Sequence, residues 1–227
     1  MYQLKMFLRR CVLTRKMYSW LFKQKNRKKR VELQRCHKEL SKAIFDAFEA
    51  SGYEYAYASG SLLGLIRDKK FMEHDDDIDL MIVVDDYNDL KDLEKKLRPY
   101  NFTLDHFYKV GDDIVEYTFA YKYLNVTVDV FAYKRNGGSL FSCWLFQNTD
   151  EQYETEYEQS VSNIVFEDIK SFEYLNYWGV KLRIPSNYES ILVFNYGDKW
   201  MIKDPNYSVK NAPGFRKTNL RGFKIVR

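Results

Sequence analysis

The sequence predicts an α+β fold: an α/β-type mixed sheet with helices packed on it, preceded by an amphipathic basic helix. Three observations carry that reading. The elements run helix, strand, helix, strand, helix and then a meander of strands. Hydrophobic content of 45% and aromatic content of 17%, with only 4 Pro, describe a packed chain rather than a disordered one. And 227 residues are enough for one substantial core.

Leu4, Phe7, Leu8, Cys11, Val12, Tyr18, Leu21 and Phe22 recur at helical spacing, with Arg9, Arg10, Lys16 and Lys23 between them, so the N-terminus predicts an amphipathic basic helix. "KQKNRKKR" at 23–30 adds a polybasic patch suited to an anionic membrane surface, whereas a helix docked on protein would not need it. A second helix over 31–50 buries Leu33, Cys36, Leu40, Ile44, Ala47 and Phe48 and stops at Gly52. "YEYAYA" at 53–58 is a strand, "SLLGLIRD" a short helix, and "IDLMIVV" at 78–84 a buried strand.

A polar helix over 85–97 ends before Pro99. Three strand-like runs follow, "NFTLDHFY", "IVEYTFAY" and "NVTVDVFAY", the last closed by "RNGG". Residues 148–160 are acidic and polar and read as a loop or a short solvated helix. "FEYLNYWGVKLRIP" reads as a hairpin turning near Gly179. Ser186 and Glu189 have capping-box spacing for a helix through Phe194 that stops at Gly197. The expected organisation is a basic helix at 1–30, a catalytic domain at 31–206 and a basic C-terminal tail at 207–227.

Charge is unevenly placed. Residues 1–30 hold eleven of the 36 Lys and Arg and no Asp or Glu, which leaves 25 basic against 32 acidic residues in the rest. A uniformly basic domain would suggest nucleic acid; a basic segment on an acidic body does not. Three widely spaced cysteines form neither a disulfide framework nor a metal knuckle, which points to a reducing compartment. No apolar run approaches the roughly 20 residues of a spanning helix, and no signal-peptide pattern is present. The expected location is cytoplasmic and peripheral, on the inner face of the membrane.

The chemistry concentrates in "EHDDDIDL". Asp75, Asp76, Asp77 and Asp79 cannot all ionise together without a compensating cation. Asp77 and Asp79, two apart on an extended segment, share a face and can grip one or two ions. Asp129, inside the alternating run Val126, Val128, Val130, is costly there unless paired or ligated, and it completes a metal triad. A solvated acidic turn would not explain Asp79 between Ile78 and Leu80. An EF-hand is excluded by Leu80 and Asp86 where that loop needs Gly and Glu. "ASGS" at 58–61, between strand and helix, offers Gly60 for close backbone approach and Ser61 for a phosphate contact.

"YASGSLLGLIRDKKFMEHDDDID" resembles the signature of the LicD family, which joins a Gly-Ser/Thr-x-Leu-Gly-x-x-Arg helix to an Asp-Asp-Asp-Ile-Asp run on a nucleotidyltransferase fold. "VTVDVF" is similar to the family's third-carboxylate strand and "IPSNYESILVFNYGDKWM" to its C-terminal element, so the resemblance spans about residues 35–206. It implies transfer of a phospho-alcohol from a CDP-activated donor, typically phosphocholine from CDP-choline, to a hydroxyl of a glycan or lipid-linked glycan. Mg²⁺ (or Mn²⁺) would sit on Asp77, Asp79 and Asp129, Gly60 and Ser61 would contact phosphate, and Arg67 would neutralise it. Tyr196 and Trp200 are candidates for a choline cation, or for the core. His74 stands where many members have Trp, and the fukutin branch's cysteine-rich zinc loop has no counterpart. A CDP-ribitol or CDP-glycerol transferase, a nucleotidyltransferase with the same triad, and a non-catalytic membrane adaptor are the competing readings.

Overall fold

The computed structural model describes residues 12–146 and 158–226. Helix α1 (Val12–Ser51) is continuous over 40 residues, about 60 Å at 1.5 Å per residue. The sequence reading divides this region into two helices. The structure joins them, because "KQKNRKKR" contains neither Pro nor Gly and is rich in good helix formers. The expected border at residue 30 therefore falls inside a helix. Residues 1–11 lie outside the described residues, as do the side chains of 12–23, and with them most of the stripe expected to meet a membrane.

After Gly52, whose φ of +75° ends the helix, come β1 (Glu54–Tyr57), α2 (Ser59–Leu63) and a π-helical turn (Gly64–Asp68), then β2 (Asp77–Val84). The polar helix expected over 85–97 is broken up. A 3₁₀ turn (Tyr87–Leu90) carries its own capping box from Asp86 and Asp89, α3 is only Leu93–Leu97, and a second 3₁₀ turn takes in Pro99. The meander is β3 (Phe102–Val110), β4 (Asp113–Tyr121) and β5 (Thr127–Asn136). Gly137 and Gly138, at φ +58° and +86°, then turn the chain into β6 (Ser139–Phe146).

Strand β7 (Glu158–Glu167) takes in the last three residues of the acidic segment 148–160 that reads as a loop or solvated helix, and residues 147–157 lie outside the described residues. The hairpin β8 (Phe172–Tyr177) and β9 (Val180–Pro185) turns at Trp178 and Gly179 with φ of +56° and +74°, as a two-residue primed turn requires. Helix α4 (Tyr188–Tyr196) stops at Gly197 as expected, but it starts after Asn187 with no side-chain cap, so the Ser186/Glu189 box does not form.

The main sheet runs β1-β2-β5-β4-β3-β10-β7-β6, and β6 also pairs with the end of β5, so the sheet curls back on itself. Among the described residues, β2 and β5 are the only strands paired in parallel. Leu33, Leu40, Ile44, Ala47 and Phe48 of α1 pack in one core with Ile78, Leu80, Ile82, Phe119, Val128 and Val130. The alternate residues Met81, Val83 and Tyr133 form a second core with Leu62 of α2 and Ile191 and Leu192 of α4.

The C-terminal segment 207–227, expected to be a tail, contains a strand. Arg216–Val226 forms β10, which lies between β3 and β7 and pairs with both. Its sequence alternates poorly because backbone pairing on both edges, rather than a buried side-chain face, holds it. A side chain at Gly222 would collide with Leu145, which explains a glycine inside this strand.

Candidate functional site

Strand register assembles the site. One row across the sheet reads Asp79 (β2), Asp129 (β5), Thr118 (β4), His106 (β3). The next row reads Met81, Phe131, Glu116, Tyr108 and then Lys224 of β10. Directly paired residues share a sheet face, so these side chains stand on one surface. Parallel pairing of β2 and β5 thus sets Asp79 directly opposite Asp129, with Asp77 one row away opposite Thr127.

The carboxylates repel one another in a poorly solvated place. Burial, and then the charges of Asp129, Asp76 and Asp75, push Asp77 up from 3.8 to about 7, with Lys29 opposing. Burial followed by Asp77 and Asp129 raises Asp79. Burial raises Asp129. The Asp129 Oδ1 atom is buried without a hydrogen-bond partner, and so is the Thr118 hydroxyl opposite it. Thr118 is near enough to favour the ionised form of Asp129 but is not in hydrogen-bonding geometry.

Helix α2 supplies the other wall. Ser59, a non-glycine residue at φ +46°, turns the chain so that the Gly60 N–H donates to Asp79 Oδ2 at 3.1 Å. A Cβ on Gly60 would stand 3.4 Å from Asp79 Oδ2 and 3.8 Å from Asp75 Oδ1, so its bare face opens on the carboxylates. Ser61, expected to contact phosphate, also has a bracing role. It is 1% exposed, and its hydroxyl accepts the Asp79 N–H at 2.9 Å, locking α2 to β2. Gly64 is needed for packing, since a Cβ there would lie 2.7 Å from the Lys70 carbonyl oxygen.

A cavity of about 1190 Å³ opens beside Gly60 and Asp75, lined also by Arg67, Lys203, Tyr196, Trp200 and Tyr207. Arg67 reaches it already paired: Nε and Nη2 donate to the Asp68 carboxylate at 3.2 and 3.0 Å, and Lys203 approaches Asp68 at 3.4 Å. The Arg67 guanidinium holds Asp68 below the usual carboxylate range. Its charge is therefore partly spent before any phosphate arrives. Tyr196 stacks on Tyr207 with ring centroids 4.8 Å apart. Burial, then Tyr207, Asp79 and Asp75, raise its phenol, which places Tyr196 between cavity and carboxylates.

Sequence reasoning missed Glu116. It is buried, and burial followed by Asp129 and Asp79 raises it well above its ordinary value. The signal was there: an acid inside "IVEYTFAY" is the same anomaly as Asp129 among valines. Asp75 also belongs to the site, its Oδ2 accepting the Met72 N–H at 3.0 Å. Lys29 of α1 donates to Thr127 Oγ1 at 3.2 Å at the same end of β5.

Among the described residues, no group of three or more His, Cys, Asp or Glu side chains stands in a geometry that could hold a metal ion. The donor chemistry nevertheless fits a hard divalent cation, because all three candidate ligands are carboxylates, they repel one another, and Asp129 Oδ1 is unsatisfied.

A family model described as LicD/FKTN/FKRP, nucleotidyltransferase domain, matches residues 52–172, more than half of the chain. The chain belongs to the LicD family. Membership makes this LicD protein a transferase of phospho-alcohol groups in general terms. The match covers Gly60, Arg67, Asp77, Asp79, Glu116 and Asp129, while Tyr196, Trp200 and β10 lie beyond it. No curated protein matches the chain. Among the described residues of the LicD protein, no helix is long and apolar enough to cross a membrane.

Proposed function

We propose that the protein transfers phosphocholine from CDP-choline to a hydroxyl of a cell-surface glycan or its lipid-linked precursor, releasing CMP. The observation that carries this reading is the row of buried, mutually repelling carboxylates beside the Gly60 amide and a cavity large enough for a nucleoside diphosphate. The cavity would take the nucleotide end of the donor, with the aromatic rings of Tyr196, Trp200 and Tyr207 beside it and Lys203 near its phosphates. Mg²⁺ or Mn²⁺ held by Asp77, Asp79 and Asp129 would offset the charge of the donor's diphosphate when bound. Gly60 would let the backbone approach the phosphates, while Ser61 holds Asp79 and Asp68 pairs with the Arg67 guanidinium at the cavity wall. Catalysis then rests on positioning and charge neutralisation, as phosphoryl transfer demands.

The basic face of α1 would rest on an anionic membrane surface at the cytoplasmic side, next to a lipid-linked acceptor. The test is incubation with CDP-choline, CDP-ribitol and CDP-glycerol, each with Mg²⁺ and a glycan acceptor, while following CMP. CMP and a phosphodiester product from CDP-choline support the reading. Preference for CDP-ribitol or CDP-glycerol reassigns the alcohol, and pyrophosphate release from a nucleoside triphosphate would make the protein a nucleotidyltransferase.

A further inference from the structure

The site has a second flank that the donor cavity leaves unused. Across the sheet from Gly60 the order is Asp79, Asp129, Thr118, His106, so His106 stands two strands beyond Asp129, roughly 10 Å at the usual strand spacing, with only the small Thr118 between. His106 is there because of a bulge. Leu104 pairs with Phe119 and His106 with the next residue, Thr118, leaving Asp105 as an extra residue in β3. In a regular strand Leu104 and His106 would share a face; the inserted Asp105 shifts the phase and turns His106 onto the carboxylate side.

The same bulge brings Asp105 beside the ring, where its Oδ2 accepts from His106 Nδ1 at 2.7 Å. That hydrogen bond selects the tautomer with its lone pair on Nε2. Among the described residues Nε2 has no hydrogen-bond partner. The His106 side chain is 12% exposed, enclosed by protein yet reachable, and Asp105 is 55% exposed. Tyr108 stands edge-on to the ring at 5.3 Å, and Lys224 lies over Tyr108 at 5.6 Å, so an aromatic face and a cation adjoin the imidazole.

We infer that this flank is the acceptor side of the site and that His106, oriented by Asp105, is the general base that removes the acceptor hydroxyl's proton. The inference rests on the phosphotransferase reading above. In-line displacement puts the attacking oxygen opposite the leaving group. With the nucleotide in the cavity beside Gly60, the acceptor must enter from the β4–β3 side, which is where His106 stands. The hydroxyl proton passes to Nε2 as the new O–P bond forms; the P–O bond to CMP breaks and its electron pair leaves with CMP; the imidazolium then returns its proton to solvent. Tyr108, edge-on to the imidazole, is the aromatic surface that the acceptor's sugar would meet.

The groups facing His106 are Asp105 on its own strand, Lys224 on β10, Tyr108 and, across Thr118, Asp129. Burial, helped by the Lys224 charge, holds the imidazole below its ordinary value despite the raising effects of Asp105 and Asp129, which favours the neutral form that a base requires.

The experiment uses the full chain with Mg²⁺, the CDP-alcohol that wild type turns over, and a glycan acceptor, measuring CMP release, transfer and donor binding from pH 5 to 9. His106→Gln should bind donor within threefold of wild type, lose at least about 10²-fold in transfer and lose the acid limb of the rate profile. Asp105→Asn, at an exposed position, should lose about tenfold or more with the limb displaced, and added imidazole should partly rescue His106→Ala. If wild type releases no CMP from any CDP-alcohol, the phosphotransferase reading and this inference fall together. If wild type is active while His106→Gln transfers within threefold with an unchanged pH profile, this inference alone is overturned. Should His106→Gln fail to fold, Asp105→Asn decides, and a wild-type rate and profile in that variant refute the dyad.

Discussion

Asp129→Asn should stabilise the metal-free protein at pH 8 and make no difference near pH 4. Asp77 is pushed up from 3.8 to about 7, and each tenfold change in proton affinity corresponds to about 1.4 kcal/mol. Burial is its first cause and Asp129 the largest of the charges, so about 1–2 kcal/mol is a fair share for removing the Asp129 charge. The sign follows from proton counting. Between pH 3.8 and about 7 the folded chain keeps a proton on Asp77 that the unfolded chain has released, so stability is full below this window and is lost as pH rises through it. Asparagine removes part of that loss, and its amide can donate to the orphaned Thr118 hydroxyl. For a chain of this size the gain corresponds to roughly 2–8 °C in Tm. The assay is thermal unfolding in EDTA at pH 4, 6 and 8, repeated with excess Mg²⁺. Wild type should gain stability from Mg²⁺ by mass action and the variant should not. A variant less stable than wild type in EDTA at pH 8, or changed equally at pH 4 and 8, would show that Asp129 is a structural strand residue and that the cluster is not a cation site.

Three further outcomes are expected. Asp77→Asn and Asp79→Asn should each abolish transfer while the fold is kept, and EDTA should do the same to wild type with recovery on Mg²⁺ or Mn²⁺; activity within tenfold of wild type in both variants refutes the metal assignment. Gly64→Ala should cost about 1–3 kcal/mol in chemical denaturation, because its Cβ would meet backbone at Lys70 and Met72, and full stability would show that this loop yields freely. Deleting residues 1–26, which spares Lys29 and its bond to Thr127, should leave turnover on a soluble acceptor and remove salt-sensitive co-sedimentation with anionic vesicles; equal loss of both activities would assign the segment to the folded core.

What could be read from the sequence was whatever depends on local contrast. An aspartate among valines is expensive wherever the strand goes, so Asp129 and Asp79 stood out without any knowledge of their neighbours, as did the strand, Gly-Ser, helix order around Gly60. The hairpin at Gly179 and the stops at Gly52 and Gly197 are likewise local backbone demands. Pairing decided the rest. Residues 216–226 look like a tail because a strand held at both edges by backbone bonds needs no apolar alternation, and only the presence of β3 and β7 makes it one. That the Ser61 hydroxyl braces Asp79 and that Arg67 pairs with Asp68 could not be read locally, because their neighbours are fixed by how α2 sits on β2. Glu116 and His106 joined the carboxylates through register alone, and a one-residue bulge at Asp105 determines which face His106 occupies. Side-chain chemistry belongs to the sequence, but which side chains meet across a sheet is set by strand order and register, and these are properties of the whole chain.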